Sequence, residues 1–420
     1  MKKVLILAYD FPPYNSIGGQ RPYSWFKYFK EFGFFPVVVT RHWDESITTP
    51  EDYMKPSTQQ EVSVEEYEEG VVYRVPYRPN ARDRFSLKYG TNSGKIIRKM
   101  LSVWYMCTEF CIPFFDAKYG IYKTALNVCK KDEFSYIIAT GEPFILFKYA
   151  SKISRKTAVP WIADYRDGWS TNYNYSAFQR MFFSGIEKSI LTSAVFFTSI
   201  SSAFVAHLLK LHTNKKSHVI MNGYSENEYS LKCFSQNNKI FTLSFVGTLY
   251  FYQEIDMLAE ALKLCDIKIL NNIKIQWIGL NFYPEQKKRI ITLFEQMPIK
   301  HVFTERLPQK DVMKYLKQSS LLLLPASTKY IPVYAKLFDY LQAGRKIILF
   351  PSDKGTVEQI IRHTESGEYF HNYIELYHGF KKLYKEWKKT GQVLCATKNI
   401  EQYSRKNQAH KFVQILQDMN

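Results

Sequence analysis

Short, almost uninterrupted apolar runs recur along this chain, separated by stretches long enough for helices, and they come in two series. The first comprises Lys3–Tyr9, Pro36–Thr40, Val71–Val75, Tyr136–Thr140, Trp161–Asp164, Ala194–Ser199 and His218–Met221. The second comprises Phe241–Val246, Ile273–Ile278, His301–Phe303, Leu321–Pro325 and Lys346–Phe350. Continuous apolar strands alternating with helix-length segments predict parallel sheets covered on both faces. Between the series lie Asn222-Gly223 and a polar stretch through Asn238. The chain therefore reads as α/β, with two Rossmann-like sheets facing one another and ligands expected at the carboxyl ends of the strands. Its length of 420 residues agrees, because single cores stop growing at roughly 250–300 residues. The expected domains are 1–225 and 226–398.

A last segment, Asn399 to Gln417, has Tyr403, Phe412, Ile415 and Leu416 available for packing from an amphipathic helix. It either closes the second domain or crosses back to the first, and the boundaries adopted here give 399–420 to the first. Composition, 46% hydrophobic and 23% charged, is that of a globular chain. The net charge of +18 attracts nucleic acid, anionic lipid or phosphorylated metabolites alike. Lys and Arg are dispersed through both halves, where a nucleic-acid binder would gather them in a stripe or tail. Gly90-Thr91-Asn92-Ser93-Gly94-Lys95-Ile96 has the wrong spacing for a P-loop. Nucleic acid is accordingly not an expected partner. An aromatic share of 16% suits sugar clefts and membrane interfaces, or simply a large aromatic core.

Six scattered cysteines without a C-x-x-C pair point to neither a zinc site nor a disulfide framework, so a reducing, cytoplasmic setting is expected. Asp10 and Pro12-Pro13 cut the apolar run Val4 to Ala8 below signal-peptide length, and it reads as a first buried strand. No apolar run approaches the ~20 residues of a membrane span, so membrane contact would be peripheral. Residues 95–115 place Lys95, Arg98 and Lys99 ahead of Met100, Leu101, Val103, Trp104, Tyr105, Met106 and Phe110. That is an interfacial helix for anionic lipid or a core helix with a basic first turn.

Three segments carry chemistry. After the first strand, Gly18-Gly19 precedes a helix, where backbone N–H groups can approach phosphate, although a glycine pair also serves any surface turn. Trp161-Ile162-Ala163-Asp164-Tyr165-Arg166-Asp167-Gly168-Trp169 runs off a strand end. Its carboxylates are candidates for a general base or a sugar-hydroxyl ligand, with a plain Arg166 salt bridge as the alternative. In Ile331 to Gly344, Pro332 suits a helix start and Gly344 a C-terminal cap. Lys336 and Asp339 then share one face, the lysine placed for phosphate and the carboxylate for ribose hydroxyls, or else the two form a solvated ion pair.

These segments resemble a family 4 (group 1) glycosyltransferase of bacterial surface polysaccharide synthesis. The likeness rests on F-P-P…G-G at Phe11–Gly19, D-x-R-D-x-W at Asp164–Trp169, S-I-S-S at Ser199–Ser202, the joint at Asn222-Gly223, and Lys336–Gly344 as K-L-F-E-Y-L-A-A-G with Asp for Glu. It implies a GT-B fold with an acceptor-side first domain and a nucleotide-sugar-binding second domain. It implies retention of configuration, and neither cofactor nor obligatory metal. The donor would be held by Gly18, Gly19, Gly247, Thr248, Gln253, Leu307, Lys336 and Asp339, with Asp167, Asp164 and Arg166 as the catalytic set. The implied partners are a nucleotide-sugar donor, a glycan or polyprenyl-linked acceptor, and the anionic inner face of the plasma membrane. The chain departs from the family pattern at Ile331, where many members carry an acid. Thr248 stands where Arg is common, Gln253 where a phosphate-binding Lys is often found, and the histidine of some relatives has no clear match. A nucleotide-sugar epimerase or a phosphorylase of the same architecture is the rival enzyme class, though no pyridoxal-phosphate lysine motif is recognisable.

Overall fold

A computed structural model describes residues 1–14, 16–45, 51–91, 93–112, 116–172, 175–226, 240–280, 283–329 and 333–419. They form two compact units, Met1–Met221 with Ala409–Asn420, and Asn222–Gln408. The joint falls at Met221, ahead of residue 225, and the second unit runs to Gln408 instead of 398. Hydrogen bonds explain both shifts: Tyr224 N donates to Tyr403 O at 3.0 Å and Arg405 N to Tyr224 O at 2.8 Å, tying the two crossing segments together.

In the first unit the strands are β1 (Lys2–Leu7), β2 (Phe34–Arg41), β3 (Ser63–Glu66), β4 (Val71–Val75), β5 (Tyr136–Gly141), β6 (Trp161–Tyr165), β7 (Phe196–Ser199) and β8 (Lys216–Val219). Their order is β3-β4-β2-β1-β5-β6-β7-β8, parallel except for β3 against β4. Residues of β1 alternate between two cores, as a strand covered on both faces must. Val4 and Ile6 pack with Trp25, Phe29 and Phe412, and Leu5 and Leu7 pack with Val37, Ile145 and Phe147. The helix Arg405–Gln417 therefore crosses back to the first unit. Phe412 meets Trp25 edge-on at 5.3 Å, and the Tyr136 hydroxyl donates to Leu416 O at 3.1 Å.

The second unit holds β9 (Phe241–Val246), β10 (Ile273–Ile278), β11 (Lys300–Thr304), β12 (Leu321–Pro325), β13 (Ile347–Phe350) and β14 (Gly367–Tyr369). Their order is β11-β10-β9-β12-β13-β14, all parallel. The apolar pattern does not announce β3 or β14. Both are short, half-exposed edge strands, and an edge needs no continuous apolar run.

Each sheet has one point where the strand order reverses, between β1 and β5 and between β9 and β12. Doubly wound sheets bind ligands at such a reversal, outside the carboxyl ends of the strands. The helix Lys95–Glu109 buries only Thr108 and leaves Ile96 77%, Met100 67% and Trp104 54% exposed, so it is not a core helix. Among the described residues, no helix is long and apolar enough to cross a membrane.

Candidate functional site

At the reversal of the second sheet, β9 is followed by Gly247, whose φ of +77° is disfavoured for residues with a Cβ and which faces open space. Its N–H donates to Ile278 O at 2.7 Å. Next comes Thr248, whose carbonyl accepts from Lys336 Nζ at 2.9 Å. Lys336 stands in the first turn of the helix Ala335–Ala343, which follows β12 and closes on Gly344 in the left-handed conformation. Its ammonium lies 3.8 Å over the Phe245 ring. Burial pulls the lysine well below its ordinary pKa, and the Asp339 carboxylate works the other way.

One turn on, Asp339 accepts from Gln309 Nε2 at 2.8 Å. Burial pushes its carboxyl up to about 6, against Arg405, Gln309 and Lys336, which favour the charged form. Lysine and carboxylate each have a separate partner, so they are not the solvated ion pair that their spacing also allowed. Tyr340 fixes the helix at the reversal: its hydroxyl accepts from Val246 N and donates to Leu323 O, both at 3.1 Å, joining β9 to β12. Leu307 is half-buried in the loop between β11 and the helix that carries Gln309. Ile331 and Pro332 lie outside the described residues; the described helix begins at Ala335.

Gln253 does not belong to this group. It is fully buried, its Oε1 accepts from Tyr250 N at 2.8 Å and its Nε2 donates to Pro325 O. Both ends of the amide are used in holding a loop to β12, and its complete burial keeps it from a phosphate.

At the reversal of the first sheet, Asp10 follows β1, Glu142 follows β5, and Arg166 and Asp167 follow β6. Arg166 donates from Nε to Gly141 O at 2.8 Å and from Nη2 to Glu142 O at 2.9 Å. Its guanidinium fills the space over Gly18, where a Cβ would stand 1.8 Å from Nη1. Gly18 and Gly19 lie inside the helix Ile17–Tyr28, capped by Ser16, whose Oγ accepts from Gly19 N at 2.8 Å. That Oγ in turn donates to Asp10 Oδ2 at 2.9 Å.

The anion-attracting start of this helix is thus already faced by a carboxylate, and the expected phosphate contact of Gly18 and Gly19 is corrected. Gly18 makes room for Arg166, and a Cβ on Gly19 would come within 3.2 Å of the Asp10–Phe11 backbone. Burial raises the pKa of Asp10 against Arg166 and Ser16. Partial desolvation raises that of Glu142, followed by the charge of Asp167. Glu142 and Asp167 are exposed, so a ligand can reach both.

Asp164 is elsewhere and does other work. It is 0% exposed. Arg21 grips it, with Nη2 to Oδ1 at 2.6 Å and Nε to Oδ2 at 3.0 Å. The hydroxyls of Thr140 and Thr198 donate to it at 2.8 and 2.6 Å, and Arg21 Nη1 reaches Ile220 O at 2.7 Å. This carboxylate bolts β5, β6, β7 and the helix Ile17–Tyr28 together and has no lone pair left for a substrate. Its place in the catalytic set is withdrawn. Sequence reasoning passed over Glu142, although it follows a strand recognised as such and the strand-end rule reaches it. Gln309 and Arg405, which act on Asp339 from remote segments, carry no local signal.

Residues 232–406 match the profile of the family described as glycosyl transferases, group 1. The second unit carries a group 1 glycosyltransferase domain. Among solved structures, this glycosyltransferase is similar to sucrose-phosphate synthase from Thermosynechococcus elongatus, at 14% identity and a TM-score of 0.65, over 100% of this chain and 99% of that one. Anabaena HepE in complex with UDP and glucose gives 11% and 0.59, over 100% of both chains. The catalytic domain of starch synthase IV from Arabidopsis thaliana, bound to ADP and acarbose, gives 10% and 0.61, over 100% and 99%. At such identities the likeness is one of fold, and the fold of the glycosyltransferase is GT-B. No curated protein matches the chain.

Proposed function

We propose that this glycosyltransferase is a retaining family 4 enzyme. It moves a sugar from a nucleoside-diphosphate donor onto a glycan or polyprenyl-linked acceptor during cell-surface polysaccharide assembly, with no metal or cofactor. The observation that carries the reading is the helix leaving β12 at the reversal of the second sheet. It presents Lys336, bonded to the Thr248 carbonyl just past Gly247, and one turn later Asp339. Lys336 and the space left clear by Gly247 suit a diphosphate, and Asp339, helped by Gln309, suits the ribose hydroxyls. UDP and ADP in the HepE and starch synthase structures support a nucleoside diphosphate as the donor's leaving group. Asp167 and Glu142 serve the acceptor hydroxyl in the first unit, with Arg166 holding the loop that bears Glu142. Retention and the polysaccharide role are what the family resemblance of the motifs at 11–19, 164–169 and 336–344 implies.

A panel of nucleoside diphosphates in a thermal-shift assay tests the donor site, since a ligand at a hundredfold excess over Kd stabilises the folded state by about 2.7 kcal/mol. Incubation with nucleotide sugar alone tests the reaction class. Epimerised sugar without any acceptor would replace the transferase reading by the epimerase one.

The reading includes a membrane partner on the cytoplasmic side. The exposed row Ile96, Met100 and Trp104 lies beside Lys95, Arg98 and Lys99, the pairing of apolar and basic groups that docks on anionic lipid. Gln179 Nε2 touches Met106 Sδ at 3.7 Å, so the helix Ala177–Leu191, with exposed Phe178 and Met181, adjoins this face. Flotation with anionic liposomes should recover the protein, and recovery with neutral liposomes should be lower. Equal recovery with both, or none, would remove the membrane from the reading.

A further inference from the structure

At the amino ends of the second unit's strands, the edge opposite Gly247 and Lys336, a groove of about 360 Å³ opens between the short helix Ile267–Leu270 and the helix Tyr373–Thr390. Lys268, Lys385, Lys388 and Lys389 line it, with Asn272 and Tyr384. All four lysines are exposed, and none belongs to an ion pair among the described residues, whereas neighbouring Lys346 and Lys382 both approach Glu368. The acids adjoining them in sequence have other contacts: Glu386 accepts from Leu394 N at 2.7 Å, and Asp266 acts on Lys381.

Such crowding opposes folding. Lys385 stands three and four residues before Lys388 and Lys389, spacings at which like charges destabilise a helix. At the same edge Lys274 and Lys300 face each other in register across β10 and β11, where opposed like charges destabilise a sheet. The dipole at a helix carboxyl end favours Lys388 and Lys389. It accounts neither for Lys385, a turn earlier, nor for Lys268, which comes from a different helix.

We propose that this groove binds closely spaced phosphate groups at a site separate from the donor's. Ammonium groups are point-charge donors suited to phosphate, and a concave wall holds them around one volume. The phosphates belong to a soluble ligand or to lipid headgroups, and the test separates the two.

The probe is tripolyphosphate, titrated calorimetrically into the full chain, the Lys336→Ala variant, and the variant combining Lys268→Ala, Lys385→Ala, Lys388→Ala and Lys389→Ala. The lysines are exposed, so the fold should survive. Binding should persist in Lys336→Ala, weaken about tenfold or more in the fourfold variant, and fall steeply with added salt. Vesicles containing phosphatidylglycerol are then offered to a chain carrying Ile96→Ser, Met100→Ser and Trp104→Ser, so that the helix Lys95–Glu109 does not mask the result. Retention that depends on the groove lysines assigns the site to headgroups, and tripolyphosphate binding without retention assigns it to a soluble ligand. Equal affinity in the fourfold variant, loss confined to Lys336→Ala, or no binding of either probe overturns the proposal.

Discussion

Where β1 meets β5, four ionisable groups (Asp10, Glu142, Arg166 and Asp167) come together from three strand ends, and a fifth, Asp164, is buried within β6. Where β9 meets β12, the chemistry comes from one helix, with Lys336 and Asp339 a turn apart. The first arrangement mixes fastening with function: Arg166 and Asp164 hold backbone and strands, and Glu142 and Asp167 remain open to a ligand. In the second, an uncharged residue, Tyr340, joins the two strands, and the proposed donor contacts fall to the charged pair. A carboxylate at a strand end is therefore ambiguous until its partners are counted.

The sharpest way to break this contrast is to exchange the two aspartates of the first unit. Asp167→Asn should leave unfolding within about 0.5 kcal/mol of wild type, as exposed substitutions do. It should lower turnover by about 10²–10⁴, the contribution of a proton-handling carboxylate. Asp164→Ala should cost about 3–5 kcal/mol in denaturant unfolding, because Arg21 would keep a buried, unpaired charge. If Asp164→Ala folded normally, or Asp167→Asn turned over within a few-fold of wild type, the division of labour would be wrong.

A smaller effect tests the second unit. Asp339→Ala should weaken nucleoside diphosphate binding by about 1.5–3 kcal/mol, the range for hydrogen bonds to a charged group, with the fold intact. Lys336→Ala should weaken the diphosphate far more than the free nucleoside, since only the former carries charge. Calorimetry with both ligands on both variants separates the roles. Unchanged diphosphate binding in Asp339→Ala would make the helix structural, and the two reversals would then differ less than argued.

An effect of similar size is on pH. The Asp339 carboxyl is raised to about 6, so folding favours its protonated form. Stability is full below the unfolded value, declines as pH rises toward 6, and carries the whole penalty, about 2–3 kcal/mol, above it. Ribose binding calls for the opposite form, so nucleotide affinity should fall as pH drops through 6. Asp339→Asn should flatten both profiles and unfold later than wild type at pH 7.5. Parallel titrations of wild type and variant would expose a wrong sign at once.

The described strands other than β3 and β14, and the helix Ala335–Ala343, are legible because they are local. Continuous apolar runs such as Phe241–Val246 need a sheet covered on both faces, and the spacing of Lys336, Asp339 and Gly344 is contained within one helix. Gln253 and Asp164 were misjudged because their roles depend on partners far along the chain, Pro325 for one and Arg21 and Thr198 for the other. The glycine pair suits either a phosphate loop or a plain turn, because the sequence does not say what occupies the missing side chain's space. Here Arg166 does.

The helix Arg405–Gln417 sets a timetable. Trp25, Phe29 and Tyr136 reach the ribosome's exit early, yet Phe412 and Leu416, which cover them, emerge only after the whole second unit. Domains generally fold in order during synthesis, at about 5–20 residues per second, so the first unit must wait with an apolar flank bare until its last helix arrives. A chaperone that shields this flank would help during that interval, and expressing residues 1–221 alone would make the exposure permanent.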